Sequence, residues 1–135
     1  MDAERMTRED IFQYVKKKYG TTPEYLWKRT PNYAILRHDN NRKWYAAIMD
    51  LSPNLVGLTG DDTIDVINVK GDPAMISVLI NKPGYRPAYH MNKEKWITIL
   101  LDGSVPKEEI LNLLTMSYDI TKLPFQNCVA DKKYL

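Results

Sequence analysis

Cations and aromatic rings crowd into one stretch of the chain, Lys82 to Pro106, which reads KPGYRPAYHMNKEKWITILLDGSVP. Lys82, Arg86, Lys93 and Lys95 crowd ahead of Trp96 against Glu94, while Tyr85, Tyr89 and Trp96 add broad apolar faces. Ammonium and guanidinium groups suit contacts to a phosphate backbone, and an exposed ring can stack on an unpaired base. A second cationic group, Arg37, His38, Arg42 and Lys43, surrounds Asp39-Asn40-Asn41, and Lys70 closes an apolar run. The candidate nucleic-acid contacts are therefore Arg37, Arg42, Lys43, Lys70, Lys82, Arg86, His90, Lys93 and Lys95. Each also has a plainer role. A basic hairpin tip keeps a sheet edge soluble. A histidine between Tyr89 and Met91 suits a structural position bonded to backbone, and Tyr89 and Trp96 suit a core.

Other chemistry finds little support. The chain has no phosphate-binding loop and no dinucleotide fingerprint. Its one cysteine, Cys128, lies in the C-terminal tail, which excludes an intrachain disulfide and fits a reducing compartment. His38 and His90 fall on separate elements without ligand spacing, so no metal site is expected. The expectation is a protein that is not an enzyme and needs no cofactor. A rival reading keeps the binding role but changes the partner. Leu55, Val56 and Leu58 with the Tyr85–His90 cluster would line a groove or pocket for a protein or a small molecule.

These residues need a scaffold, and local signals supply one. Thr7 reads as an N-cap, with Glu9 and Asp10 in the first turn. Ile11, Phe12, Val15 and Tyr19 share a helical face, and Gly20 stops the helix after Lys16-Lys17-Lys18. Glu24–Trp27 reads as a short strand, and strands at Tyr33–Arg37 and Lys43–Met49 form a hairpin about Asn40. Ser52–Thr63 reads as a loop and Ile64–Lys70 as a strand. Asp72 and Pro73 open a second helix, which runs to about Asn81. Trp96–Leu101 is a strand, Asp102-Gly103 a turn, and Ser104 and Pro106 start a last helix to about Ile120. On that helix Ile110, Leu113, Leu114, Ser117 and Tyr118 form one stripe. The order predicts an α+β fold: an antiparallel sheet with helices packed on one face. Residues 1–135 read as one domain with an irregular tail from about residue 123.

Two runs resemble the MmcQ/YjbR family: Ala88-Tyr89-His90-Met91-Asn92-Lys93 before Trp96, and Leu101-Asp102-Gly103-Ser104-Val105-Pro106. Asn68-Val69-Lys70-Gly71-Asp72-Pro73 is similar to that family's strand-to-helix junction. The resemblance implies a CyaY-like fold and a DNA-binding role. It also raises the iron binding of frataxin-type proteins, whose first helix carries an acidic ridge; this chain departs there, at Lys16, Lys17 and Lys18. The 19 basic and 17 acidic residues give a net charge of +2, too small to demand a nucleic-acid partner. Double-stranded DNA and a protein are the expected partners, and binding should be salt-sensitive and sequence-tolerant, because no base-reading helix is evident. No apolar run approaches a membrane span, and the charged start lacks the apolar core of a signal peptide. A cytoplasmic protein with no membrane contact is expected.

Overall fold

In a computed structural model, which describes residues 5–122, the first helix, α1, spans Arg8–Tyr19. Thr7 and Asp10 form a capping box: the Thr7 hydroxyl accepts from the Asp10 N–H, and the Asp10 carboxylate accepts from the Thr7 N–H. These two bonds hold the Asp10 carboxyl below its ordinary value. Gly20, at φ 72°, closes the helix in the left-handed region that only glycine adopts freely.

Strands β1 (Ala34–Arg37), β2 (Trp44–Leu51), β3 (Ile64–Lys70), β4 (Tyr85–Pro87) and β5 (Trp96–Leu100) make one sheet. Their order is β1-β2-β3-β5-β4, and every pairing is antiparallel. Helices α2 (Pro73–Leu79) and α3 (Lys107–Lys122) complete the fold. All three helices join one core. Ile11 and Val15, Ile76 and Leu79, and Ile110, Leu113 and Leu114 pack there against Leu36, Ile48, Ile67, Val69, Ile97 and Ile99. Each such side chain contributes about 1.5–3 kcal/mol by leaving water. The α+β class and the one-sided helical layer are as the sequence predicts.

Local expectations differ at several points. Glu24–Trp27 is not a strand: only a single bridge, Glu24 to Ile35, forms there. A 3₁₀ turn, Pro53–Val56, occupies the predicted loop. The basic loop contains the edge strand β4, paired to β5. Ser104 does not cap α3; its N–H and hydroxyl both donate to Asp102 Oδ1, and the first helical bond runs from the Ile110 N–H to the Pro106 carbonyl. Gly84 admits no side chain, because a Cβ would fall 2.5 Å from Val105 and 2.8 Å from Ser104. The predicted tail and Cys128 lie outside the described residues.

The β1–β2 ladder carries a bulge. Leu36 pairs with Ala46 but Arg37 pairs with Trp44, so Tyr45 is an additional residue on β2. The bulge sends the Tyr45 ring into the helical core and Trp44 to the opposite face, beside Ala47. It also leaves backbone groups without ladder partners. Ser117 of α3 supplies them: its hydroxyl donates to the Tyr45 carbonyl at 2.6 Å and accepts from the Lys70 N–H at 2.9 Å. Ser117 is fully buried, so no water replaces it. Ser117→Ala is expected to lower stability by roughly 1–3 kcal/mol, the cost of buried groups left unpaired. Urea unfolding measures it, and an unchanged midpoint would contradict this role.

Candidate functional site

Register defines what stands on the face opposite the helices. Ile35, Ala47, Asn68, Thr98 and Arg86 are successive Cα partners across all five strands, and they form one row on that face. The row is covered unequally. Toward one end, Met49, Leu51, Val66 and Leu100 pack under Val56 and Leu58 from the 3₁₀ segment. Arg86 pins that segment, since its Nε donates to the Val56 carbonyl at 2.7 Å.

The middle of the row is polar and closed. Asn68 and Thr98 are 0% exposed. The Thr98 hydroxyl donates to Asn68 Oδ1 at 2.5 Å and accepts from the Tyr89 N–H at 3.0 Å. The Asn68 amide donates to the Tyr89 carbonyl and to Met91 Sδ. This network holds Tyr89-His90-Met91 over the sheet. His90 takes a left-handed conformation, φ 64°, and its ring lies 3.9 Å from that of Tyr89.

The β1–β2 side of the face stays open as a pocket of about 500 Å³. Ile35, Ala47 and Met49 make its floor; Trp27, Thr30, Tyr33 and Trp44 stand on one side, and Tyr89, His90 and Met91 on the other. Trp27 packs edge-on against Tyr33 at 6.1 Å and Trp44 at 6.0 Å, an aromatic wall with preferred geometry. Trp27 remains 41% exposed. Burial pushes the Tyr33 phenol up from its ordinary value, and Tyr89 and Asp50 push it the same way. Beyond the Tyr89-His90 ridge lies a second depression of about 510 Å³, where Leu55 and Val56 meet Arg86, Pro87 and Lys93. The loop and aromatic cluster read as neighbours from the sequence therefore do converge.

The candidate cations separate into two sets. Arg37 and Arg42 share one carboxylate, Glu24, at 3.2 and 3.3 Å, which offsets one of their two charges. Lys82 pairs with Glu109 at 3.5 Å, and Glu109 also accepts a short bond from the Tyr85 hydroxyl. Arg86 spends its guanidinium on the Val56 and Tyr85 carbonyls. Lys43, Lys70, Lys93 and Lys95 have no carboxylate within ion-pair distance among the described residues. Lys43 precedes β2, Lys70 ends β3 and Lys95 precedes β5, so the antiparallel order gathers them at one end of the sheet. Burial holds the Lys70 ammonium below its ordinary value, and the charges of Lys43 and Lys95 lower it further.

The buried structural position belongs to His38 and not to His90. His90 is exposed. His38 is buried at 4% exposure, between the rings of Tyr45 and Tyr118. With the Thr121 hydroxyl donating to the Ser117 carbonyl at 2.7 Å, its oxygen accepts from His38 Nε2–H at 2.8 Å. Burial keeps the His38 ring neutral below its usual range. Among the described residues no cluster of histidines, cysteines or carboxylates is arranged to hold a metal ion, and no helix is long and apolar enough to cross a membrane.

The pocket itself was missed by reading the sequence in order. Ile35 and Met49 alternate with helix-facing residues on their strands, a signal for two apolar faces. The wall of Trp27 and Tyr33 comes from a segment with no regular secondary structure, for which no periodicity exists.

A helix-backed antiparallel sheet with a loop-covered second face defines the class: a small α+β domain with an aromatic pocket on the face opposite its helices. The chain belongs to the YjbR family, whose model matches residues 16–120. It is 49% identical over 117 residues to the Bacillus subtilis uncharacterized protein YyaQ, covering 87% of this chain and 99% of that one. It is 29% identical over 121 residues to Escherichia coli YjbR, also called uncharacterized, covering 84% of this chain and 85% of that one. A crystal structure of a Pseudomonas syringae protein, 44% identical, superposes with a TM-score of 0.84 over 87% of this chain and all of that one. A Deinococcus radiodurans DUF419 protein, 21% identical, shares the fold with a TM-score of 0.68 over 93% of this chain and 88% of that one.

Asn68→Ala removes the partners of the Tyr89 carbonyl and the Thr98 hydroxyl together. It should cost roughly 1–3 kcal/mol. Hydrogen exchange at the Tyr89 amide should accelerate more than at Ile67; equal acceleration at both would argue against a local tether.

Proposed function

We propose that this protein is a non-enzymatic binding protein whose ligand is a small planar molecule held in the pocket between Trp27 and Tyr89. The observation that carries the reading is the pocket: about 500 Å³, floored by Ile35, Ala47 and Met49 and walled by rings. Ligand pockets typically run ~300–1,000 Å³, with apolar and aromatic walls and a few polar groups. Thr30, His90 and the Tyr33 and Tyr89 hydroxyls are the polar groups available here.

The test is a titration of ¹⁵N-labelled protein with indole, naphthalene-2-sulfonate and adenosine. Amide shifts should concentrate on Ile35, Ala47, Met49 and Tyr89–Met91. Ala47→Phe, which fills the floor, should abolish them. Trp27→Ala, at a partly exposed wall residue outside the core, should weaken them while leaving the fold intact. Shifts absent for all three compounds, or scattered and indifferent to both variants, would remove the pocket from consideration.

A second reading is attachment to the DNA backbone. Its support is the group Lys43, Lys70 and Lys95 at one end of the sheet, without acidic partners among the described residues. Duplex binding should then weaken with salt, and each lysine replaced by glutamine should flatten the log–log salt slope by about 0.9. Duplex affinity that is undetectable at low salt, or that loses nothing on replacing all three, rules it out.

A further inference from the structure

The cationic end of the sheet and the aromatic pocket are neighbours. Ala47 in the pocket floor is the Cα partner of Asn68. Lys70 stands two residues further along β3 on the same face, about 7 Å away by strand rise. The bulge at Tyr45 turns Trp44 into the pocket wall, and Lys43 directly precedes Trp44. Lys70 is the Cα partner of Trp96, which Lys95 directly precedes. The three lysines therefore lie at the end of the sheet beyond Trp44, next to the pocket but outside its lining.

Lys70 is half-buried, and besides burial the charges of Lys43 and Lys95 disfavour its ammonium form. Other cations do find carboxylates, Arg8 with Asp65, Arg37 and Arg42 with Glu24, Lys82 with Glu109 and Lys107 with Asp10, while Lys16, Lys17, Lys28 and Arg29, which have none among the described residues, are exposed to water. A desolvated cation among like charges is costly, and an anion arriving there would relieve the cost. The rings beside it offer stacking worth about 1–3 kcal/mol for a heteroaromatic base.

Building on the pocket reading, we propose that the ligand is a heteroaromatic ring bearing a phosphate, a nucleotide-type molecule. Its ring lies between the Trp27–Trp44 wall and Tyr89. Its phosphate meets Lys70, flanked by Lys43 and Lys95. A free nucleotide and an unpaired nucleotide of a single strand share this chemistry.

The test compares adenosine, adenosine monophosphate, a short oligodeoxyadenylate and a DNA duplex, read by tryptophan fluorescence and amide shifts on the full chain. The monophosphate should bind roughly tenfold or more tighter than adenosine, as one charge-assisted contact would give. Lys70→Gln should erase that difference while leaving adenosine binding intact. Ala47→Phe should remove both, and Trp27→Ala should weaken both should the former fail to fold. Preference for the free monophosphate identifies a small-molecule ligand, and affinity that grows with oligonucleotide length identifies a single strand. Equal binding of adenosine and its monophosphate, or monophosphate binding indifferent to Ala47→Phe and Trp27→Ala, overturns the proposal. Binding of the duplex alone overturns it in favour of backbone attachment. Binding of indole with neither adenosine nor its monophosphate overturns it and leaves the pocket reading standing, whereas no binding of any aromatic compound removes both.

Discussion

Each of the three central strands carries apolar residues on both faces, and the helices cover only one of them. Ile48, Ile67, Val69, Ile97 and Ile99 go under α1, α2 and α3; Met49, Leu51, Val66 and Leu100 go the other way. An apolar face left to water costs about 25 cal/mol for each Å² exposed. The chain meets this constraint with irregular segments, which must then satisfy their own backbone groups. Val56 and Leu58 cover one end, with Arg86 occupying the Val56 carbonyl. Tyr89–Met91 covers the middle through Asn68 and Thr98. The Trp27–Tyr33 segment stands at the β1 side without reaching the Tyr89 ridge, and the gap between them is the pocket. The candidate site is thus the part of the second face that loops leave uncovered.

The same economy governs polar groups in the interior. The bulge at Tyr45 breaks the regular ladder, and one hydroxyl, that of Ser117, takes up both of the groups it frees. That bulge is also what places Trp44 on the pocket side, so a backbone irregularity and a site wall have one origin. His38 and Thr121 close a second buried polar pair at the hairpin, stacked between aromatic rings. Lys70 differs from these paired groups: it is a half-buried charge, and the charges of Lys43 and Lys95 act against it.

Much of the architecture was legible because its signals are local. Thr7, Gly20, Asp72 and Pro73 mark helix ends through bonds to backbone one turn away, and each mark agrees with the structure. The hairpin at Asn40 and the strand Ile64–Lys70 follow from turn residues and apolar runs. Glu24–Trp27 misled because aromatic content imitates strand propensity; only the Glu24 bridge formed. Ser104 misled because Asp102, two residues earlier, competes for the same hydroxyl and N–H. Of the cations, those near Asn40 appeared free in sequence. Glu24, more than ten residues earlier, pairs with both Arg37 and Arg42 and offsets one of their two charges, and no local rule anticipates an ion pair of that kind.

What the sequence determined by itself is the set of elements and their class, since periodicity, caps and turns act within a few residues of one another. The resemblance carried by residues 68–118 pointed to the family correctly for the same reason: those junctions are contiguous. The tertiary structure alone decided which face of the sheet stays open, which lysines keep an unpaired charge and which histidine is buried. Those outcomes depend on strand order, on a one-residue bulge and on contacts between residues distant in the chain. A shift of a single residue in register would exchange every inward and outward side chain, and pairing between distant segments sets that register.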